Sequence, residues 1–170
     1  MKTELGAKMV LVSGLFWLCA AATNAQEALI PTNSVWRFLT PTSNQGTGWV
    51  SRTFNDGSWT SGPGPFGYGD PWIRTTVPNN NPSVTYYFRH RFNVTNAASI
   101  GTLQARYMRD DGLVAYLNGR ELFRSNMPVP PLVIDFNTTT PDSAGSPENG
   151  FYTNSIDPTL LLDGTNVFAV

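Results

Sequence analysis

Hydrophobic and polar positions alternate most cleanly in three stretches of the chain. Val84 to Val94 sets Tyr86, Phe88, His90 and Phe92 on one side against Thr85, Tyr87, Arg89 and Arg91 on the other, the two-residue period of a strand. Leu103, Ala105 and Tyr107 alternate with Gln104 and Arg106, and the stretch from Leu113 to Phe123 alternates about Asn118-Gly119. That dipeptide supplies the two positive-φ residues of a type I′ turn. Around it Leu117 faces Arg120, Tyr116 faces Glu121, Ala115 faces Leu122 and Val114 faces Phe123. Leu113, Ala115, Leu117 and Leu122 then share a core face, and Val114, Tyr116 and Phe123 make the other face apolar too. This pattern predicts a central hairpin rather than an edge. Asp110-Asp111-Gly112 reads as a turn, so the strand at 103–107 feeds the hairpin and completes a three-strand meander.

The remaining segments are short and bounded by turn chemistry. Ser34 to Thr40 alternates as a first strand, and Pro41 to Gly48 is a polar loop. Asn55-Asp56-Gly57 turns Trp59 back towards the body, while Ser61 to Asp70, dense in Gly and Pro, is an ordered loop pinned by Phe66 and Tyr68. Pro71 to Ser83 is a looser excursion with its tip at Asn79-Asn80-Asn81-Pro82. Pro128 to Asn149 is a long loop with one apolar stretch, Leu132, Val133, Ile134 and Phe136. Past the leader no helical period occurs, apart from a turn at Asp157 to Leu161. Many short strands separated by turns predict an all-β fold, an antiparallel β-sandwich or jelly roll. The closing strand, Thr165 to Val170, stops on an apolar residue, which predicts a fragment of a longer protein, cut at its C-terminal strand.

Residues 1–25 read as a secretory signal peptide. Lys2 and Lys8 charge its start, Met9 to Ala22 is apolar, and Thr23-Asn24-Ala25 offers small residues for cleavage. The apolar run is too short for a confident membrane span. Residues 26–48 form a lead-in with the first strand, and residues 49–170 form the domain. Charged residues are only 14% of the chain and the net charge is −1, so no basic stripe suits nucleic acid. No cysteine follows Cys19, which rules out a disulfide scaffold and fits an exported domain with a core of its own. The expected location is outside the cytoplasm, extracellular or periplasmic, with no membrane attachment after cleavage.

Phe54-Asn55-Asp56-Gly57-Ser58-Trp59, then GPFGYGD at 64–70, YYFRHRFNV at 86–94, RDDGLVAYLNGREL at 109–122, RSNMP at 124–128 and GTNVFAV at 164–170 follow in one order. Together they resemble the galactose-binding-like β-sandwich modules of secreted bacterial multidomain proteins. The resemblance covers roughly Trp49 to Val170 and implies that fold. It also implies a place beside a catalytic domain, such as a metallophosphoesterase or a glycoside hydrolase. In members of the family the last motif continues into a strand with Glu and His, whereas this chain stops at Val170. Fold alone leaves the ligand open.

The residues offer little for catalysis. His90 is the single histidine and sits inside an alternating strand, where a half-buried sheet histidine is the simpler reading. Neighbouring Asp110 and Asp111 point apart and suit a turn better than paired acid–base work. Asp70, Asp110 and Asp111 are turn residues with structural calcium as the alternative, although no spacing signature supports it, and no other cofactor is expected. Trp49, Tyr68 and Trp72 lie in turn-rich segments, where an aromatic ring can stack on the C–H face of a sugar. Plugging the end of the sandwich is the competing role for Tyr68, as it is for Trp59 and Phe66. Arg109, Arg124 and Asn126 flank the hairpin and order either a loop or a ligand. Asn93-Val94-Thr95 and Asn137-Thr138-Thr139 match glycosylation sequons, which matter only in a eukaryotic host. The expectation is a non-catalytic, carbohydrate-binding-like accessory module. Its partners would be a glycan and a downstream catalytic domain; the alternatives are a ligand-free spacer and the leading part of a secreted hydrolase.

Overall fold

A computed structural model describes residues 27–40, 43–78, 84–142 and 150–170. The signal segment and the Asn79–Pro82 tip lie outside these residues. The strands are β1 (Val35–Leu39), β2 (Thr60–Pro63), β3 (Phe66–Gly67), β4 (Thr75–Thr76), β5 (Tyr87–Val94), β6 (Leu103–Tyr107), β7 (Leu113–Leu117), β8 (Arg120–Ser125), β9 (Tyr152–Ile156) and β10 (Gly164–Ala169). Among the described residues the only helical turns are 3₁₀, at Gly48–Val50, Ala97–Ser99 and Pro158–Leu160. None is long and apolar enough to cross a membrane. The chain is all-β, as the alternation predicts. The last turn has its cap written locally, since the Asp157 carboxylate accepts from the amide of Thr159 at 2.9 Å.

Six strands form one antiparallel sheet in the order β2-β1-β5-β10-β7-β8, and β6 pairs with β9 in a separate two-stranded ribbon. Period-2 alternation gives the large sheet two different faces. On one, Leu39, Tyr87, Tyr116 and Ala169 pack under Trp49 and Trp59 from the segment joining β1 to β2. On the other, Phe92, Val94, Leu117 and Phe168 pack with Leu103 of β6 and Leu160 and Leu161. Aromatic edges tie the layers: Phe38 lies 5.3 Å from Phe66, and Tyr107 stacks on Phe123 at 5.2 Å, centroid to centroid.

The turn at Asn118-Gly119 has the expected geometry, with φ of 54° and 92°, and Leu117 faces Arg120 while Tyr116 faces Glu121. The register then departs from the expectation. A bulge between Ala115 and Tyr116 sets Ala115 opposite Phe123 and Val114 opposite Arg124, because Leu122 takes the extra place on β8. The expected meander is also corrected. β6 pairs along its whole length with β9, Leu103 facing Ile156 and Tyr107 facing Tyr152. The connection from 108 to 112 carries the chain between layers, and it is held there by Arg109 donating to Ser125 Oγ at 2.7 Å and to the Asp111 carbonyl. The hairpin is not wholly central, since β8 is the outer strand of its sheet. Leu122 packs into the core beside Leu117 and Tyr107 stacks on Phe123, while Arg124 holds the 128–132 loop through the carbonyls of Pro128 and Leu132 at 2.6 and 2.7 Å. That loop carries Leu132 and Val133 exposed, so its apolar stretch does not join the core until Phe136.

Candidate functional site

Tyr68 to Arg74 form a loop closed at its base by a short parallel ladder, Phe66 facing Thr75 and Gly67 facing Thr76. The amides of Arg74 and Thr75 both donate to the Pro65 carbonyl, at 2.9 and 3.1 Å, and Val77 donates to Gly67 at 3.0 Å. The Thr75 hydroxyl donates to the Pro63 carbonyl at 2.7 Å. Gly67 is favoured here by its backbone, whose φ of +158° an L side chain rarely adopts, and a Cβ would also meet Cδ1 of Ile73 at 2.7 Å. The base is therefore narrow and rigid, and the tip turns through Ile73 N–H to the Asp70 carbonyl at 3.3 Å.

This base presents two aromatic side chains to solvent, Tyr68 at 53% exposure and Trp72 at 38%. Tyr68 neighbours Tyr86, whose phenol is pushed up by burial first and by Tyr68 second; Tyr86 donates to the Pro78 carbonyl at 2.8 Å. Asp70 and Arg74 are exposed on the same loop. Aromatic rings beside carboxylate and guanidinium groups are the elements that stack on a sugar ring and order its hydroxyls.

The other residues singled out in the sequence lie elsewhere. Trp49 is only 7% exposed and lies edge-on to Tyr87 at 4.6 Å and to Tyr116 at 5.6 Å. Its ring is a core element with no face left for a ligand. Arg109, Asn126 and Asp111 do come together, around a peptide carbonyl. Arg109 and Asn126 both donate to the Asp111 oxygen, Asn126 at 3.2 Å, and Asn126 also reaches the Asp142 carbonyl at 2.7 Å. Arg109 lies 4.5 Å over the ring of Tyr152, which itself stacks on Tyr107 at 5.9 Å. Arg124 pairs with Glu121 at 2.7 Å. Asp70 belongs to a different loop from Asp110 and Asp111, and among the described residues no three carboxylate, imidazole or thiol groups gather to hold a metal ion.

A second charged constellation was not legible in the sequence. Arg37, Arg89 and Arg91 rise from adjacent strands on one face and grip the 49–59 segment. Arg89 donates to Asp56 Oδ2 at 2.8 Å, to the Trp49 carbonyl and to the Ser51 carbonyl at 3.1 Å, with Phe54 packed 5.2 Å from its guanidinium carbon. Arg91 donates to the Arg52 and Phe54 carbonyls at 3.0 and 2.7 Å, and Arg37 donates to the Trp59 carbonyl at 3.0 Å. Burial alone would raise the Asp56 carboxyl, but the Arg89 hydrogen bond and the charges of Arg91 and Arg89 hold it below its ordinary range. The available signal was the NDG turn, which aims an aspartate at whatever strand the turn covers.

No family model matches the chain, and no curated protein sequence matches it either. Among solved structures, the chain is similar to a β-glycosidase from Bacteroides vulgatus at 17% identity and a TM-score of 0.49, over 82% of this chain and 16% of that one. It is also similar to a β-glucuronidase from an uncultured Clostridium species at 18% identity and a TM-score of 0.49, over 81% of this chain and 20% of that one. The chain thus spans a fifth or less of the length of either enzyme.

Proposed function

We propose that the chain is a non-catalytic, carbohydrate-binding-like accessory module of an exported protein, built on a galactose-binding-like β-sandwich. The observation that carries this reading is the pair Tyr68 and Trp72, held exposed on a loop whose base is fixed by the Phe66–Thr75 and Gly67–Thr76 ladder. Rings carried on a loop with a hydrogen-bonded base need little backbone ordering when a ligand arrives. Its openness suits the flat face of a sugar in a longer glycan. The downstream partner would be a catalytic domain whose substrate the module keeps close.

Binding to a glycan array, lost on Trp72→Ala while the melting temperature holds, is the expected result. A clean array from a fully folded chain would sink the reading in favour of a ligand-free spacer. One observation favours that second reading: Arg109, Arg124 and Asn126 direct hydrogen bonds to loop carbonyls, as groups do when their work is to order a scaffold.

A further inference from the structure

Ser61 of β2, Arg37 of β1 and Arg89 of β5 form one row across the sheet, and Arg91 stands two residues further along β5 on the same face. An open groove of about 410 Å³ runs against this row, and Asp56, Val35, Trp36 and His90 complete its lining. Two of the three guanidinium groups share one carboxylate, which lies 2.8 Å from Arg89 and 3.6 Å from Arg91, and Arg37 donates to the Trp59 carbonyl instead. Their other acceptors are peptide carbonyls, which accept hydrogen bonds without cancelling charge, so the groove keeps a surplus of positive charge. Arg89 is sealed in, but Arg37 is exposed and spends one N–H on the Trp59 carbonyl, and a guanidinium carries five. The side chain of Arg91 is 41% exposed. Both heads are braced by the segment they hold, so little freedom is lost when an anion pairs with them.

We infer that this groove takes the anionic group of an acidic saccharide, a uronate carboxylate or a sulfate ester. Arg37 and Arg91 supply the charge-assisted hydrogen bonds, and Ser61 adds a hydroxyl. The saccharide part rests on the function proposed above; the anion part does not.

The test is calorimetric titration of the chain at low salt with an oligogalacturonate, the same oligomer fully methyl-esterified, and a sulfated galactan oligomer. The acidic oligomer should bind about tenfold or more tighter than its ester, and added salt should erase the difference. The sulfated arm shows which anion the groove prefers. Arg37→Gln and Ser61→Asp should each abolish the preference with an unchanged melting temperature; Ser61→Asp, on the exposed edge strand, serves if Arg37→Gln unfolds. Trp72→Ala should weaken acid and ester alike. Equal binding of acid and ester, or a preference that survives both groove variants, overturns the proposal while leaving glycan binding intact. If no oligomer binds, amide shift titration with free galacturonate and inorganic sulfate decides. Shifts centred on Arg37 and Arg91 keep the anion site and discard the glycan reading; an unmoved spectrum overturns both.

Discussion

Arg89 and Asp56 form an ion pair of 2.8 Å beneath the Trp49 segment, with the arginine side chain wholly buried. The pair joins the centre of the large sheet to a turn more than thirty residues earlier, and the Trp49 and Ser51 carbonyls complete the arginine's environment. Removing this cation leaves a buried carboxylate with only the more distant Arg91 at 3.6 Å, and two orphaned carbonyls. Arg89→Met should therefore cost about 3–5 kcal/mol, measured by urea unfolding at neutral pH. The pair also sets an acid limb. Because the Asp56 carboxyl is held below its ordinary 3.8 in the folded state, its contribution is fully present above the unfolded value. It is lost as pH falls through 3.8 towards the lower folded value. Asp56→Asn should flatten that limb, and an unchanged slope would rule the pair out as its source.

His90 gives a second pH dependence at higher pH. Burial lowers its pKa below 6.5, against the opposing effect of its Nδ1–H donating to the Val35 carbonyl at 2.9 Å. The unfolded chain thus binds a proton more readily than the folded one, so stability is full above 6.5 and declines as pH falls through 6.5 towards the folded value. Unfolding curves from pH 7.5 to 5 should show this decline, and His90→Gln should remove it.

Asn166 is wholly buried and fully bonded. It accepts from Asn118 at 2.8 Å and from the Leu162 amide at 3.0 Å, and donates to the Leu162 and Gly164 carbonyls at 2.7 and 3.1 Å. Asn118 in turn accepts from the Val167 amide at 3.0 Å. Asn166→Ala should cost on the order of 2–3 kcal/mol, because it orphans buried groups at several points. Thermal unfolding with Asn118→Ala and the double variant should show strong non-additivity.

The two tryptophans of the candidate set should separate cleanly. Trp49→Ala should destabilise by about 3–5 kcal/mol, whereas Trp72→Ala should stay within about 0.5 kcal/mol and weaken glycan binding below what an array detects. Chemical denaturation and glycan titration of both variants check this. A destabilised Trp72 variant would return that ring to the scaffold.

Legibility followed the range of the interaction. The Asn118-Gly119 turn, the alternation of β5 and the turn near Asp157 were readable because neighbouring residues determine them. The pairing of Leu103 with Ile156 was not, since no local pattern says which distant edge a strand will find. The bulge at Ala115 and Tyr116 escaped because both faces of the hairpin are apolar, so a slip in register left no polar residue misplaced. The alternation set Arg89 and Arg91 on one side of β5 without saying what lies against it; only the covering 49–59 segment buries Arg89. Of the candidate site, the looser excursion after Pro71 pointed to Trp72 as the exposed ring, but the burial of Trp49 was not legible, because the Tyr87 and Tyr116 rings that cover it lie far along the chain.

The loop that carries Tyr68 and Trp72 depends on a contact between their immediate chain neighbours. Ile73 packs so close to Gly67 that an added Cβ would meet its Cδ1 at 2.7 Å, and the neighbouring Gly67 carbonyl anchors the Val77 amide at 3.0 Å. Gly67→Val must strain the loop base at its φ of +158° and push aside the Ile73 side chain, at about 1–3 kcal/mol. Gly67 touches no ligand in this scheme, so it is a positioning residue, and affinity should fall through loss of order. Hydrogen exchange at Val77 should quicken in Gly67→Val, and glycan affinity should drop with it. Ile73→Ala relieves the side-chain crowding but not the backbone strain at φ +158°, so in the Gly67→Val background it should restore only a small part of both. If Val77 stays protected while binding is lost, the loop base is not what holds the two rings in place.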